Sequence, residues 1–493
     1  KYAAAMQTKT ADPEAILRMQ RVFGYTREEL KMVIRPMADR GQEAVGSMGN
    51  DAALAVFSHR PQLLFSYFKQ LFAQVTNPPI DPLREELVMS LMSWVGRERN
   101  LLEETPEHCR RLKLPHPILT PEDLERLRRS DLPEVQSAEI DITYPPEGHG
   151  GGLETALKYI CNLAADRIAA GATVIVLTDR RVDRTAAPIP SLLAVSALHH
   201  YLIRKGLRAS AGIVVETGEA REVMHMALLI GYGANAVCPW LAFSTIGKLA
   251  EEGFLREGLR PEIALDNYII ALKKGLLKTF SRMGISTIRS YFGAQIFEAV
   301  GLAPDVVETY FTGTVSRIGG LGLNEIAAET AARHRRGFAG EPSALLEAGG
   351  DYHSRVGGEK HLWTAEAVEA LQTAVRNDDY RAFRRYTELI DDQAREHATL
   401  RSLFAFRPAE PVPLDEVEPE AEIVRRFVGA AMSFGSLSRE AHETIAVAMN
   451  RLGARSNSGE GGEDPAREEI LPDGGNRRSR IRPRCSAAAP GWW

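Results

Sequence analysis

The stretch Ser456-Asn-Ser-Gly-Glu-Gly-Gly-Glu-Asp464 has the composition of a loop that could handle a ligand. Gly459, Gly461 and Gly462 permit positive φ and leave backbone N–H donors free. Glu460, Glu463 and Asp464 argue against a phosphate cradle, because like charges repel; a loop that moves, or one that bonds an amine or ammonium, fits better. A plain solvent loop accounts for the same residues equally well. Asp179-Arg180-Arg181 follows a β-branched run and could orient an acidic substrate, although strand-end ion pairs are the commoner use of such residues. Glu216 and Thr217-Gly218-Glu219 hold the equivalent place after another such run. His149-Gly-Gly-Gly152 has the composition of an esterase oxyanion loop or an anion-holding turn. No GxSxG elbow accompanies it, so a turn opening a helix suffices. His199, His200 and His225 sit in helical patterns at spacings unsuited to a metal. Gln70 and Gln74 read as packing and capping ahead of Asn77-Pro78-Pro79. Arg477, Arg478, Arg480, Arg482 and Arg484 form a basic run, usually a solvated tail. GxxxxGK[ST], HExxH and a complete GxGxxG are absent.

The elements that must position these residues follow from periodicity. Residues 14–40 read as helical, with a Thr26/Glu29 capping box, and a turn is expected at Gly46–Asp51. Leu63–Val75 also reads as helix, ended by the prolines. From about residue 138 strands and helices alternate: strand Ala138–Tyr144, helix Leu153–Ala169, strand Thr173–Thr178, helix Ser191–Lys205 and strand Gly212–Glu216. Helix Arg221–Ile230, strand Ala234–Cys238, helix Tyr268–Arg282, strand Ile285–Arg289 and helix Ala294–Val300 continue the pattern. Such alternation predicts parallel βαβ units, whose ligands gather at the carboxyl ends of the strands. Helices are expected at Glu366–Ala374 and Tyr380–Ala394, then a Pro- and acid-rich linker. A final unit opens at Ile423, with a turn at Met432–Ser438 and a helix at Arg439–Leu452.

Composition narrows the class. The 493 residues, 44% hydrophobic and 25% charged, suit two to four globular domains at roughly 150 residues each. A net charge of −5 from 60 basic and 65 acidic residues does not suggest a nucleic-acid binder. No apolar run approaches the ~18 residues of a membrane span. The start lacks a signal-peptide pattern, and the four cysteines, Cys109, Cys161, Cys238 and Cys485, have no metal spacing. A reduced, cytoplasmic protein is expected.

Long strings give the chain a closer likeness. They are Phe23-Gly-Tyr-Thr26, Phe72-Ala-Gln-Val-Thr-Asn-Pro-Pro-Ile-Asp-Pro82 with Arg84-Glu85-Glu86, and Pro188-Ile-Pro-Ser-Leu-Leu-Ala194. Val215-Glu-Thr-Gly-Glu-Ala-Arg221, Gly231-Tyr-Gly-Ala234, Met283-Gly-Ile-Ser-Thr287, Gly293-Ala-Gln-Ile-Phe-Glu298 and Ser456–Pro465 follow in order. Together they resemble the large subunit of glutamate synthases. The resemblance implies formation of L-glutamate from L-glutamine and 2-oxoglutarate, with 2-iminoglutarate reduced by FMN. It further implies an amidotransferase domain, a central domain, an FMN-binding (β/α)8 barrel with a 3Fe–4S cluster, and a β-helix. An NAD(P)H-oxidising small subunit or ferredoxin would supply electrons.

By this resemblance residues 1–305 correspond to the central domain and 306–480 to the start of the barrel. Met432, Ser433 and Gly435 correspond to the end of the first barrel strand, beside the flavin. Ser456, Asn457, Gly459, Glu460, Gly461, Gly462, Glu463 and Asp464 correspond to a loop that responds to substrate and borders an ammonia tunnel. No residue matches the amidotransferase nucleophile, and no cysteine cluster or metal site is expected. After Ile481 the likeness breaks, and 481–493 read as an out-of-frame tail; both chain ends look cut. The fold expected is α/β: a central domain of parallel βαβ units followed by an incomplete (β/α)8 barrel. The isolated chain is expected to be inactive, and a non-catalytic scaffold derived from the central domain is the rival reading. No nucleic-acid or membrane partner is expected.

Overall fold

The computed structural model describes residues 12–44, 50–71, 73, 81–339, 345–391, 397–472 and 474–482. They form two compact units that divide between Phe404 and Ala405.

The first unit is built on a parallel sheet of Ser137–Asp141, Val174–Thr178, Gly212–Glu216 and Ala236–Cys238, in that spatial order. The three later strands are buried along their whole length, as uninterrupted runs of Val, Ile and Leu require when both faces are covered. Each crossover is helical: His149–Ala169, Ser191–Arg204 and Val223–Gly231. Beyond Ala236–Cys238, Ile118 bridges Val237 in parallel and extends the hydrogen bonding by one more segment. Every pairing in this sheet is parallel, so all carboxyl ends, at Asp141, Thr178, Glu216 and Cys238, share one edge.

Periodicity failed where buried apolar runs were short. Leu63–Val75 is not a helix. Leu64–Tyr67 forms a 3-10 turn and Phe68–Gln70 a strand, while 74–80 lie outside the described residues. Ala294–Val300 is likewise extended: Phe297–Leu302 alternates in burial and pairs antiparallel with Phe68–Gln70 and parallel with Val315–Leu321. Positive φ at Gly293 and Gln295 precludes a helix there, and Phe297 packs where a Cβ on Gly231 would come within 2.6 Å. Ile288–Tyr291 is a helical turn rather than a strand. A buried helix, Trp240–Glu251, was missed because its apolar residues surround the axis. The first helical stretch breaks at Phe23–Tyr25, after Pro13–Val22, with the Thr26/Glu29 capping box opening the next turn. The expected turn at 46–51 falls largely on residues outside the described set.

The second unit contains one parallel βαβ element. Val428–Ala431 pairs with Arg455–Asn457 across the helix Arg439–Arg451, which Ser438 caps. Ile481 bridges Asn457 in parallel, taking the place of a third strand. Neither face is fully covered: Phe427 is 62% exposed and Val428 50%. Among the described residues, no helix is long and apolar enough to cross a membrane.

Candidate functional site

At the carboxyl edge of the four-stranded sheet, the charges singled out in the sequence are spent internally. Asp179, 1% exposed, accepts from the Gly218 N–H at 3.0 and 3.1 Å and from Trp240 Nε1–H at 2.8 Å. Burial nevertheless pushes its carboxyl up to about 7. Glu216 accepts from Thr178 Oγ1 at 2.7 Å and from Arg128 Nη2 at 2.6 Å. Glu219 accepts from the Ser191 N–H and hydroxyl, both at 2.7 Å. Arg180 lies over the Trp240 ring, 4.3 Å from its centroid. Asp179, Glu216 and Glu219 are thus held by contacts within the chain, while the Arg180 and Arg181 side chains stay 51% and 66% exposed.

What closes the edge comes from far away in the chain. Phe23, fully buried, meets Trp240 edge-on at 5.9 Å. A Cβ on Gly218 would come within 2.6 Å of the Phe23 ring, so only glycine lets the two segments approach. Arg221 donates to the Phe23 and Gly24 carbonyls, both at 2.9 Å, pairs with Glu29 at 2.7 Å and stacks 4.3 Å from the Tyr25 centroid. Glu28 is held by four backbone N–H donors from Gly350 to His353, and by Arg355. Tyr25 and Arg221 lie in strings that carry the family likeness, but nothing local foretells their contacts or those of Glu28, whose partners lie about two to three hundred residues off.

Beside this junction lies a cavity of about 1160 Å³, lined by Tyr25, Arg60, Arg221, His225, Glu347 and Asp351 among others. Arg60 pairs with Glu347 at 2.7 Å. His225 stacks on Phe65 at 4.3 Å; its Nδ1 accepts the Arg221 backbone N–H, and its Nε2–H donates to the Glu222 carboxylate at 3.1 Å. Burial would raise Glu222, but His225 and Arg221 outweigh it and hold the carboxyl down to about 2. Burial pushes Asp351 up to about 6. The wall thus mixes apolar side chains such as Leu63, Phe65 and Met224 with the paired charges of Arg60, Glu347 and Arg221.

In the second unit the fold brings together the two segments proposed as a site. Met432 donates its N–H to the Asn457 carbonyl at 3.1 Å. The glycine loop then crosses over Ser433: a Cβ on Gly461 would lie 2.5 Å from Ser433 Oγ and 3.0 Å from the Phe434 nitrogen. Gly459 and Gly462 take φ of 59° and 68°, the left-handed values their lack of a Cβ permits. Gly435 faces open space. Ser456 Oγ is buried without a protein partner among the described residues. Glu463 is not free to bond an amine. Its side chain is 3% exposed, accepts from the Ser479 N–H at 3.1 Å and sits 3.5 Å from Arg467. Glu460 and Asp464 remain exposed, and Asp464 caps the Ala466 N–H at 2.9 Å.

Arg467 and His442 organise this site, and the sequence pattern marks neither. Arg467 is 1% exposed and lies 5.0 Å from the Phe434 centroid. It donates to His442 Nδ1 at 2.6 Å, which leaves the His442 proton on Nε2, facing the Met432 carbonyl at 2.9 Å. One buried guanidinium thus links the strand end to the loop.

The other marked residues stay apart. His149 opens its helix directly. His199 is a buried acceptor and His200 a helix residue; burial lowers both, to about 3 and about 4. Gln70 closes a strand, while Gln74, Arg484 and Cys485 lie outside the described residues. Among the described residues no group of three His, Cys, Asp or Glu side chains could hold a metal.

Residues 18–303 match the glutamate synthase central domain, and 361–477 match a conserved region in glutamate synthase. The glutamate synthase [NADPH] large chain of Bacillus subtilis is 48% identical over 95% of this chain and 30% of its own length. The glutamate synthase [NADH] of Schizosaccharomyces pombe is 46% identical over 93% of this chain and 22% of its own. Ferredoxin-dependent glutamate synthase 2 of Synechocystis is 44% identical over 95% and 31%. The chain thus spans under a third of the length of these relatives. A flavocytochrome b2 structure overlaps 38% of this chain and 42% of its own at TM-score 0.25 and 14% identity, a likeness too slight to bear on the fold.

Proposed function

The chain belongs to the glutamate synthase family, and on that premise we propose that it serves in L-glutamate formation from L-glutamine and 2-oxoglutarate. Residues 1–305 act as central domain and 306–480 as the opening of an FMN-binding barrel, whose strands lie in the unit that starts at Ala405; 481–493 act as an aberrant tail, of which Ile481 still bridges Asn457. The observation that carries the reading is the close approach of the Gly459–Gly462 loop to Met432–Phe434, at the ends of two adjacent parallel strands. In parallel α/β architectures that edge is where ligands sit.

The residues fit one wall of a flavin site. Gly435 leaves open space beside its backbone, and Ser456 Oγ is a buried polar atom without a partner among the described residues. Met432, Ser433 and Gly435 would lie against FMN, which when bound supplies hydride to an imine. Arg467 and His442 hold the Met432 carbonyl and Glu463 in place, so the loop pivots from a fixed base. Two strands with an exposed face do not close a barrel, so the chain by itself should not retain FMN or turn over. The electrons would come from an NAD(P)H-oxidising subunit or from ferredoxin.

A second reading concerns the first unit: it is a scaffold that does no chemistry. The closed strand edge, with Asp179, Glu216 and Glu219 all internally paired, favours it. One experiment tests the principal reading. Residues 12–482 replace the matching segment of the Bacillus subtilis large chain, and glutamate formation is assayed. Glutamate produced from glutamine and 2-oxoglutarate is expected. A folded, flavin-loaded chimera that makes none would refute it.

A further inference from the structure

The opposite, amino edge of the four-stranded sheet holds a second cavity, of about 320 Å³. It lies between the antiparallel pair Ser93–Val95 and Leu112–Leu114 and the strand starts at Ala211–Gly212 and Asn235. Three guanidinium groups line it, those of Arg111, Arg208 and Arg289, against one carboxylate, Glu98. Glu98 Oε1 alone receives both Arg111 Nη1 at 3.1 Å and Arg289 Nη2 at 3.0 Å.

Arg208 has no carboxylate in ion-pair range among the described residues. It donates instead to neutral acceptors: His199 Nδ1 at 2.9 Å, the Ala211 carbonyl at 2.9 Å and the Gly233 carbonyl at 2.8 Å. Burial and the neighbouring guanidinium hold His199 neutral, so it contributes no charge. Burial lowers Arg208 to about 10, which still leaves it cationic at neutral pH. Arg111 Nε is buried with no partner among the described residues. Arg111 and Lys113 also lie over the Trp94 ring, 5.6 and 5.8 Å from its centroid.

A cluster built only to hold the hairpin would balance its charges; here three guanidinium-bearing residues share one carboxylate around an open space. We propose that this cavity binds a small oxyanion, a carboxylate or phosphoryl group, seated between Arg111 and Arg208 with Arg289 at the mouth. Its volume is at the lower end for ligand pockets, which suits a small acid rather than a nucleotide. Planar guanidinium forks match the geometry of both groups.

The test is calorimetric titration of the full chain with inorganic phosphate and, separately, with glutarate, against chloride at equal ionic strength. Saturable binding of at least one is expected, and the tighter of the two assigns the group. Arg111→Gln should weaken it about tenfold or more by removing a charge-assisted contact. Glu98→Gln should tighten it about threefold or more, because the competing carboxylate is gone. Arg385→Gln, at an exposed pair with Glu366, should leave it unchanged. No heat beyond chloride, or equal affinity in the wild type, Arg111→Gln and Glu98→Gln, would overturn the proposal. Should Arg111→Gln fail to fold, the opposite shift in Glu98→Gln still decides.

Discussion

Glu28 offers the sharpest perturbation of the first unit, because one side chain ties the second helical turn to a loop more than three hundred residues away. Its Oε2 receives the N–H groups of Gly350, Asp351 and Tyr352 at 2.7, 2.6 and 3.1 Å. Its Oε1 receives the His353 N–H at 3.0 Å and Arg355 Nε at 3.3 Å. The carboxylate itself is fully buried while Arg355 is 39% exposed. In Glu28→Gln one oxygen keeps the first three donors, and the new amide NH2 confronts the His353 N–H and Arg355. Arg355 can turn to water; the His353 N–H cannot without moving the loop. One unsatisfied buried donor costs about 1–3 kcal/mol and the lost charge weakens the remaining three bonds, giving about 2–4 kcal/mol. Denaturant unfolding should show that loss. Amide exchange at Gly350–His353 should accelerate about 30-fold or more, since each 1.4 kcal/mol is tenfold. The pH dependence has a definite sign. Burial would raise Glu28, but the backbone donors and Arg355 outweigh it and hold the group below its ordinary 4.5. Its contribution is therefore complete above that value and lost as pH falls through the depressed one. A Glu28→Gln protein within 0.5 kcal/mol of wild type, with unchanged exchange at 350–353, would refute the reasoning.

Three further outcomes follow from the same contacts. Asp179 is raised to about 7, so between its ordinary 3.8 and 7 the folded state holds the proton that the unfolded chain releases. Stability should fall as pH rises across that window, by up to about 1.4 kcal/mol per unit, and urea titrations of Asp179→Asn should lose this slope. Gly218→Ala should cost about 1–3 kcal/mol through overlap with Phe23, and Phe23→Leu in the same chain should recover part of it, as paired thermal melts would show. Gly461→Ala drives a Cβ into Ser433 Oγ, so limited proteolysis should cut the 458–464 loop faster than in wild type, with the first unit's melting unaltered.

Sequence periodicity located the parallel strands closely. Gly212–Glu216 was read to the residue, and Val174–Thr178 to within one, since runs of β-branched residues buried on both faces leave few alternatives. The capping box at Thr26 and Glu29 was equally legible, because both partners lie within one turn. Leu63–Val75 and Ala294–Val300 were not. A short apolar run has the same composition in a helix and in a strand, and only the pairing of Phe68–Gln70 with Phe297–Leu302 decided between them. Homology-bearing strings also marked where Met432–Gly435 and Ser456–Asp464 lie, and the chemistry to expect of them.

What the sequence by itself determined is thus local: strand and cap positions, glycine freedom, and the family to which these strings belong. The tertiary structure decided how charge is used. Asp179 and Glu463 look available as written, yet Trp240, Gly218, Arg467 and Ser479 consume them. Arg208, unmarked in the sequence, instead lines a cavity whose one carboxylate, Glu98, is bonded to Arg111 and Arg289. A carboxylate's chemistry depends on donors within about 3 Å, and those donors come from chain segments whose separation in sequence carries no trace of their contact.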